Sequence, residues 1–233
     1  MNKLRLVKKI IILVLILALP GFLYYLLTVG GKNRYKPLPI FGPKQIAKTS
    51  HKVHGKDIPD TIFHTLGNFK LKDQNGREVS FKTFNKKIFI VNFFYTHCPT
   101  LCNQINVNVD SLSANYAKNK MVYFATITVD PARDSVAALK SYAEKLKPKS
   151  ANWLFLTGDT TTIYSLARKG LLVDALKAGN DDFIYNNKLI LIDGEKRIRG
   201  YYSGVLTDDI NRLNDEIKVL ITEELRRNDK PLY

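Results

Sequence analysis

An α/β fold, with a central mixed sheet flanked by helices and an N-terminal transmembrane helix ahead of it, is what this sequence predicts. Three observations carry the prediction. Residues Ile10 to Val29 hold no charged side chain. Ile88 to Tyr95 and Met121 to Val129 are nearly continuous runs of apolar, β-branched and aromatic residues, which suit strands covered on both faces. Between and after those runs come stretches with helical spacing of apolar residues, so strands and helices alternate.

The 20-residue apolar run from Ile10 to Val29, at about 1.5 Å per residue, spans roughly 30 Å, the thickness of a bilayer core. Lys3, Arg5, Lys8 and Lys9 precede it and favour a cytoplasmic N-terminus, while Lys32, Arg34 and Lys36 follow it and weaken that orientation. A cleaved secretory signal, with Ile10 to Leu19 as its apolar region, is the rival reading. It lacks a small-x-small cleavage site, and the apolar run continues past Pro20. Absence of a Cys just after the run argues against a lipid-modified N-terminus. Either reading places the rest of the chain outside the cytoplasm, on the periplasmic side of the cell membrane.

The formal net charge of +15 suggests nucleic acid until it is located. Met1 to Lys56 carries 11 Lys or Arg and no Asp or Glu, and the remainder of the chain has a net charge of only +4. The excess sits beside the apolar run, where anionic headgroups attract it, and no nucleic-acid motif accompanies it. The expected organisation is a basic flank over 1–9, an anchor over 10–29, an extended Pro- and Lys-rich tether over 30–57, a folded domain over 58–225 and a tail over 226–233.

Within the domain, Asp73-Gln-Asn-Gly76 marks a turn between short strands at Phe69 to Lys72 and Glu78 to Phe81. After the Ile88 to Tyr95 strand comes a helical pattern from Thr100 to about Ala117. The Met121 to Val129 strand is followed by an amphipathic helix over Ser135 to Leu146, with Val136, Leu139, Tyr142, Ala143 and Leu146 on one face. Trp153 to Leu156 is a third strand, and Asp159 N-caps a helix through Ala167. Lys188 to Ile192 and Ile198 to Tyr202 form a hairpin across Asp193-Gly194-Glu195-Lys196. A last helix over about Thr207 to Leu225 carries the stripe Ile210, Leu213, Ile217, Leu220 and Ile221. Strand–helix–strand–helix–strand, then hairpin and helix, is the thioredoxin-like order.

The chain has two cysteines, and both lie in Cys98-Pro99-Thr100-Leu101-Cys102. With Pro99 at the first helical position, Cys98 is the N-cap residue and Cys102 follows one turn later on the same face. Backbone N–H groups at a helix start favour negative charge, so a thiol there ionises readily. The thiolate attacks disulfides or binds metal. A purely bracing disulfide is the alternative, although a bridge closing so short a loop restrains the unfolded chain little.

The sequence resembles the Sco/SenC family. The resemblance covers about Ile58 to Ile221. It rests on Ile58-Pro59-Asp60, Val91-Asn-Phe-Phe-Tyr-Thr-His-Cys-Pro-Thr-Leu-Cys102, Thr128-Val-Asp-Pro-Ala-Arg-Asp134, Trp153-Leu-Phe-Leu-Thr-Gly-Asp159 and Ile198-Arg-Gly-Tyr-Tyr-Ser-Gly204. It implies a membrane-tethered thioredoxin fold that binds copper and assists assembly of the copper site of cytochrome c oxidase, with some members acting as thiol–disulfide reductants. The implied copper ligands are Cys98, Cys102 and a histidine eight positions before Asp193. That position is Tyr185, and no His follows His97.

Two thiolates suffice for Cu(I), whereas Cu(II) calls for a further nitrogen that a neutral phenol replaces poorly. Thiol–disulfide exchange needs only Cys98 and Cys102. Copper handling, for an oxidase subunit or another copper or thiol protein, and a copper-independent thiol–disulfide oxidoreductase are therefore both expected readings. Whether the chain is an enzyme stays open. A peroxidase of the peroxiredoxin type is disfavoured by Tyr95, three residues before Cys98, and a docking factor with an inert disulfide is a further alternative. His97 is a weak substitute ligand, because successive side chains at a strand end diverge. His51 and His54 fall in the expected tether, and His64 reads as a satisfied polar residue near an early strand. Asp130, Arg133 and Asp134 form either a charged cluster near the cysteines or a cap for the helix at Ser135.

Overall fold

The computed structural model describes residues 2–26, 37–53, 55–98, 101–177, 183–185 and 187–228. The chain divides into two units, 1–36 and 37–233. In the first, helix α1 (Asn2–Tyr25) contains the apolar span Val7–Tyr25, of mean hydropathy 2.2 and with none of it buried. It fits a single-pass membrane anchor. Residues 27–29 of the expected anchor lie outside the described residues.

The second unit is an α/β domain with the expected thioredoxin-like layers. Its strands are β1 (Lys44–Val53), β2 (Lys56–Phe63), β3 (Lys70–Asp73), β4 (Glu78–Ser80), β5 (Ile88–Phe94), β6 (Val122–Thr128), β7 (Trp153–Thr157), β8 (Ala175–Lys177), β9 (Phe183–Tyr185), β10 (Lys188–Ile192) and β11 (Ile198–Ser203). Its helices are α2 (Leu101–Asn115), α3 (Val136–Leu146), α4 (Thr160–Ser165), continued by a wide turn over Leu166–Gly170, and α5 (Thr207–Asn228). Seven strands form one sheet in the order β11-β10-β5-β6-β7-β3-β4. β5, β6 and β7 run parallel, with Phe94 opposite Thr128 and Ile127 opposite Leu156, and the other pairings are antiparallel.

Every residue of β5 is buried, because both faces of this central strand are covered. Phe89, Val91 and Phe93 join a core with Leu71, Phe84, Ile163 and Leu166. Ile88, Ile90 and Phe94 join the opposite core with Ile105, Val109, Leu139, Leu213 and Ile217. The predicted stripes of α3 and α5 supply Leu139, Leu213, Ile217 and Leu220, all fully enclosed. Asp159 N-caps α4 as expected, accepting from Thr162 N–H at 2.8 Å.

Two turns share one device. Buried Asp73 accepts from the N–H of Asn75 and Arg77 and from Arg77 Nε, and buried Asp193 does the same with Glu195 and Arg197. In each, an inward-facing carboxylate closes its own hairpin.

The segment expected to be an extended tether carries structure from Pro37 on. β1 and β2 form a two-stranded antiparallel hairpin. Before it, Leu38 N–H donates to Glu223 at 2.8 Å, and buried Arg199 donates to the carbonyls of Leu38 at 2.7 Å and Pro39 at 3.2 Å. Arg199 also pairs with Asp193 at 3.1 Å and Glu223 at 2.7 Å. Phe41 bridges to Ile198 and meets the Tyr201 ring edge-on. Composition alone concealed this, since the segment is held by partners about 160 residues away in sequence. At the other end, α5 runs to Asn228, past the expected start of the tail at 226.

Removing one member of a buried ion cluster strands the others. Arg199→Ala is therefore expected to destabilise the domain by about 3–5 kcal/mol in urea unfolding and to expose residues 37–43 to protease. A loss below about 1 kcal/mol would show that the segment is held by other means.

Candidate functional site

β5 delivers the chain to the C-terminal end of the sheet, where it turns over Tyr95–Cys98. Cys98 N–H donates to the carbonyl of Tyr95 at 3.1 Å, closing that turn. Helix α2 begins at Leu101, so Cys102 lies in its first turn, where helix N–H groups favour a thiolate. The expected N-cap geometry involves Pro99 and Thr100, which lie outside the described residues. Cys98 and Cys102 form a disulfide with a Cα–Cα separation of 5.8 Å. Both cysteines belong to the apolar cluster that also holds Phe94, Ile105, Leu189 and Tyr202. Exposure is unequal, 8% for Cys98 and 2% for Cys102. The pair is thus more enclosed than a motif at an open helix mouth suggests, and Cys98 is its outer member.

Asp134, fully buried, lies under the turn. It accepts from Thr96 N–H at 3.1 Å, from the Thr96 hydroxyl at 2.5 Å and from the Thr128 hydroxyl at 2.5 Å. Asp130 pairs instead with Arg133. Ser135 caps α3 with its own hydroxyl, which accepts from Ala138 N–H at 3.3 Å. Of the two readings of the Asp130, Arg133 and Asp134 group, the structure therefore favours a cluster at the cysteine end of the sheet. Thr96 and Thr128 stand in the motifs that carry the family resemblance, but the sequence assigned neither a role at the site.

One turn along α2 from Cys102, buried Asn106 donates to the Tyr142 hydroxyl at 2.6 Å. Burial holds the Tyr142 phenol above its ordinary pKa, so the ring stays neutral at physiological pH. On β5, Asn92 accepts from the Thr126 hydroxyl at 2.7 Å, which in turn accepts from Trp153 Nε1 at 2.8 Å. Among the described residues, Asn92 Nδ2 and Asn106 Oδ1 have no hydrogen-bond partner.

The remaining named residues scatter. His97 is exposed, with Nδ1 3.0 Å from the Thr96 hydroxyl. That hydroxyl gives its proton to Asp134, so its oxygen is left to accept from His97. His51 pairs with Asp60 at 2.6 Å on the hairpin, and His64 Nε2 donates to the carbonyl of Gly170 at 2.7 Å, a satisfied polar residue as expected. Tyr185 ends β9, its backbone opposite Ala175, and its side chain and His54 lie outside the described residues. Among the described residues no group of three His, Cys, Asp or Glu side chains is placed to hold a metal ion.

The SCO1/SenC family model matches residues 60–222. This chain belongs to the SCO1/SenC family. It is 25% identical over 167 residues to the SCO1 protein homolog of Bacillus subtilis, covering 70% of this chain and 86% of that one. A SCO2-like protein of Rickettsia prowazekii is 28% identical over 217 residues, 89% of this chain and 95% of its own. Among solved structures, a SCO1/SenC family lipoprotein from Bacillus anthracis matches with a TM-score of 0.63 at 25% identity, covering 68% of this chain and 95% of that one. The copper-bound ScoI of Bradyrhizobium japonicum matches with a TM-score of 0.57 at 25% identity, covering 67% and 99%. These likenesses span the thioredoxin-like domain that presents the cysteines.

Cys98 is the more exposed residue of the pair, and access favours attack there by a thiol exchange partner or alkylating agent. On the reduced full chain, iodoacetamide is expected to modify Cys98 at least tenfold faster than Cys102, as read by peptide mass spectrometry. Faster labelling of Cys102 would contradict this arrangement.

Proposed function

We propose that this Sco/SenC protein handles Cu(I) through Cys98 and Cys102 during assembly of the copper site of cytochrome c oxidase. The observation that carries the reading is the bridged cysteine pair at the start of α2, in a chain of this family. Copper is cargo here, and the disulfide must open before it is taken up. A dithiol reductant supplies two electrons and two protons, becoming a disulfide itself while the Cys98–Cys102 bond breaks. Cu(I) then displaces two protons from the thiols. Two thiolates fit a soft ion that accepts low coordination. The absence of a histidine at position 185 disfavours retention of Cu(II). The copper-bound state of the Bradyrhizobium relative supports the metal assignment.

The basic residues before α1 support a cytoplasmic N-terminus, with the thioredoxin-like domain on the outer side of the cell membrane, where disulfides persist. The client would be an oxidase subunit or another copper or thiol protein meeting the outer member of the pair. A second reading, copper-independent thiol–disulfide exchange, is favoured by the formed disulfide together with Tyr185.

The reduced full chain in detergent, titrated against a Cu(I) chelator, is expected to bind one Cu(I), and the oxidised chain none. Cys98→Ser and Cys102→Ser should each lower the affinity at least 100-fold, and an unchanged affinity in Cys98→Ser eliminates the copper reading. A reversible couple in glutathione without Cu(I) binding would establish the second reading. Tyr185→His is expected to tighten Cu(II) at least tenfold, and no gain would mean that position 185 is not the third-ligand position.

A further inference from the structure

The turn that carries Cys98 lies beyond the reach of the sheet's own ladder. The carbonyl of Phe94, the last residue of β5, still accepts from Val129 N–H at 2.8 Å. Two residues on, Thr96 sends its N–H and its hydroxyl to Asp134. Thr128, which sits opposite Phe94 on β6, sends its hydroxyl to the same carboxylate. A carboxylate with no exposed surface has given up water, so its protein donors replace that hydration. Two of these three donors come from the cysteine-bearing turn, and the third comes from the end of the neighbouring strand. The cap of α3 is left to Ser135.

We propose that Asp134 is a positioning residue for the dithiol. It locks the Tyr95–Cys98 turn to the ends of β5 and β6, so that Cys98 stands over the first turn of α2 within reach of Cys102 in both redox states. The inference rests on the reading that Cys98 and Cys102 are the working pair. Closing a disulfide within one chain depends on the effective concentration of one thiol at the other, which a fixed geometry raises. A released turn lets the reduced Cys98 sample positions from which it cannot reach Cys102. The disulfide then becomes easier to reduce.

The test is an equilibrium of the full chain in detergent with glutathione. Two glutathione thiols supply the electrons and protons that open the protein disulfide, and glutathione disulfide forms. Asp134→Ala is expected to lower the equilibrium constant for closing the Cys98–Cys102 bond by about 10- to 100-fold, a potential about 30–60 mV less negative. Thr96→Ala, which keeps the carboxylate, should move it the same way by threefold or more. Asp134→Asn retains an acceptor and the side-chain shape and should stay within threefold of the parent. Ser135→Ala removes the α3 cap and should lower the melting temperature without moving the couple. Should Asp134→Ala fail to fold, Thr96→Ala decides, and a shift below threefold overturns the proposal. So does Asp134→Asn shifting as far as Asp134→Ala, which assigns the effect to charge, or Ser135→Ala moving the couple equally, which assigns it to general destabilisation. A parent chain with no reversible couple would defeat the proposed function itself.

Discussion

Burial of β5 on both faces is the constraint on which the rest of this structure depends. A strand enclosed between two cores must run straight through the domain, and its register with β6 is set residue by residue from Ile88 to Phe94. Where it ends, the backbone loses its neighbours, and there the chain must turn, find new partners and start a helix. Cys98 stands in that turn and Cys102 in the helix. The packing of Phe89, Ile90, Val91 and Phe94 therefore fixes where the turn that carries the cysteine pair begins.

The chemistry at that end is set by what surrounds two sulfur atoms. An apolar cluster, the start of a helix and a buried carboxylate under the turn give a site that is soft and lacks any converged third metal donor among the described residues. Such a donor set suits a monovalent soft ion or a sulfur–sulfur bond, and these two states exclude each other. On the proposed function, redox state then decides copper occupancy. On the same proposal, Tyr185 at the position where the family resemblance expects a nitrogen ligand shifts the balance further from Cu(II).

Much of this was legible in the sequence, for physical reasons. Long apolar runs and 3.6-residue stripes report burial directly, so β5, β6, β7, α3 and α5 could be placed from Ile88, Met121, Trp153, Leu139 and Leu213 onward. The cysteine pair was legible because scarcity and spacing coincided. The clamp of Arg199 and Glu223 on Leu38 was not, since a buried arginine looks like a surface one until its partners are known. β1 and the first two residues of β2 read as tether because their polar, largely exposed residues carry no burial pattern. Asp134 was visible only as one of two possibilities, because a carboxylate before a helix is more often its cap. The unequal burial of the two cysteine residues depends on packing around the turn and leaves no trace in composition.

The account stands on the claim that the working site is two sulfur atoms with no histidine completing it. X-ray absorption at the copper edge of the reduced, Cu(I)-loaded full chain addresses this most directly. Sulfur scatterers alone around copper, with no imidazole signature, are the predicted result. Imidazole scattering at full intensity, or copper without sulfur neighbours, would contradict it.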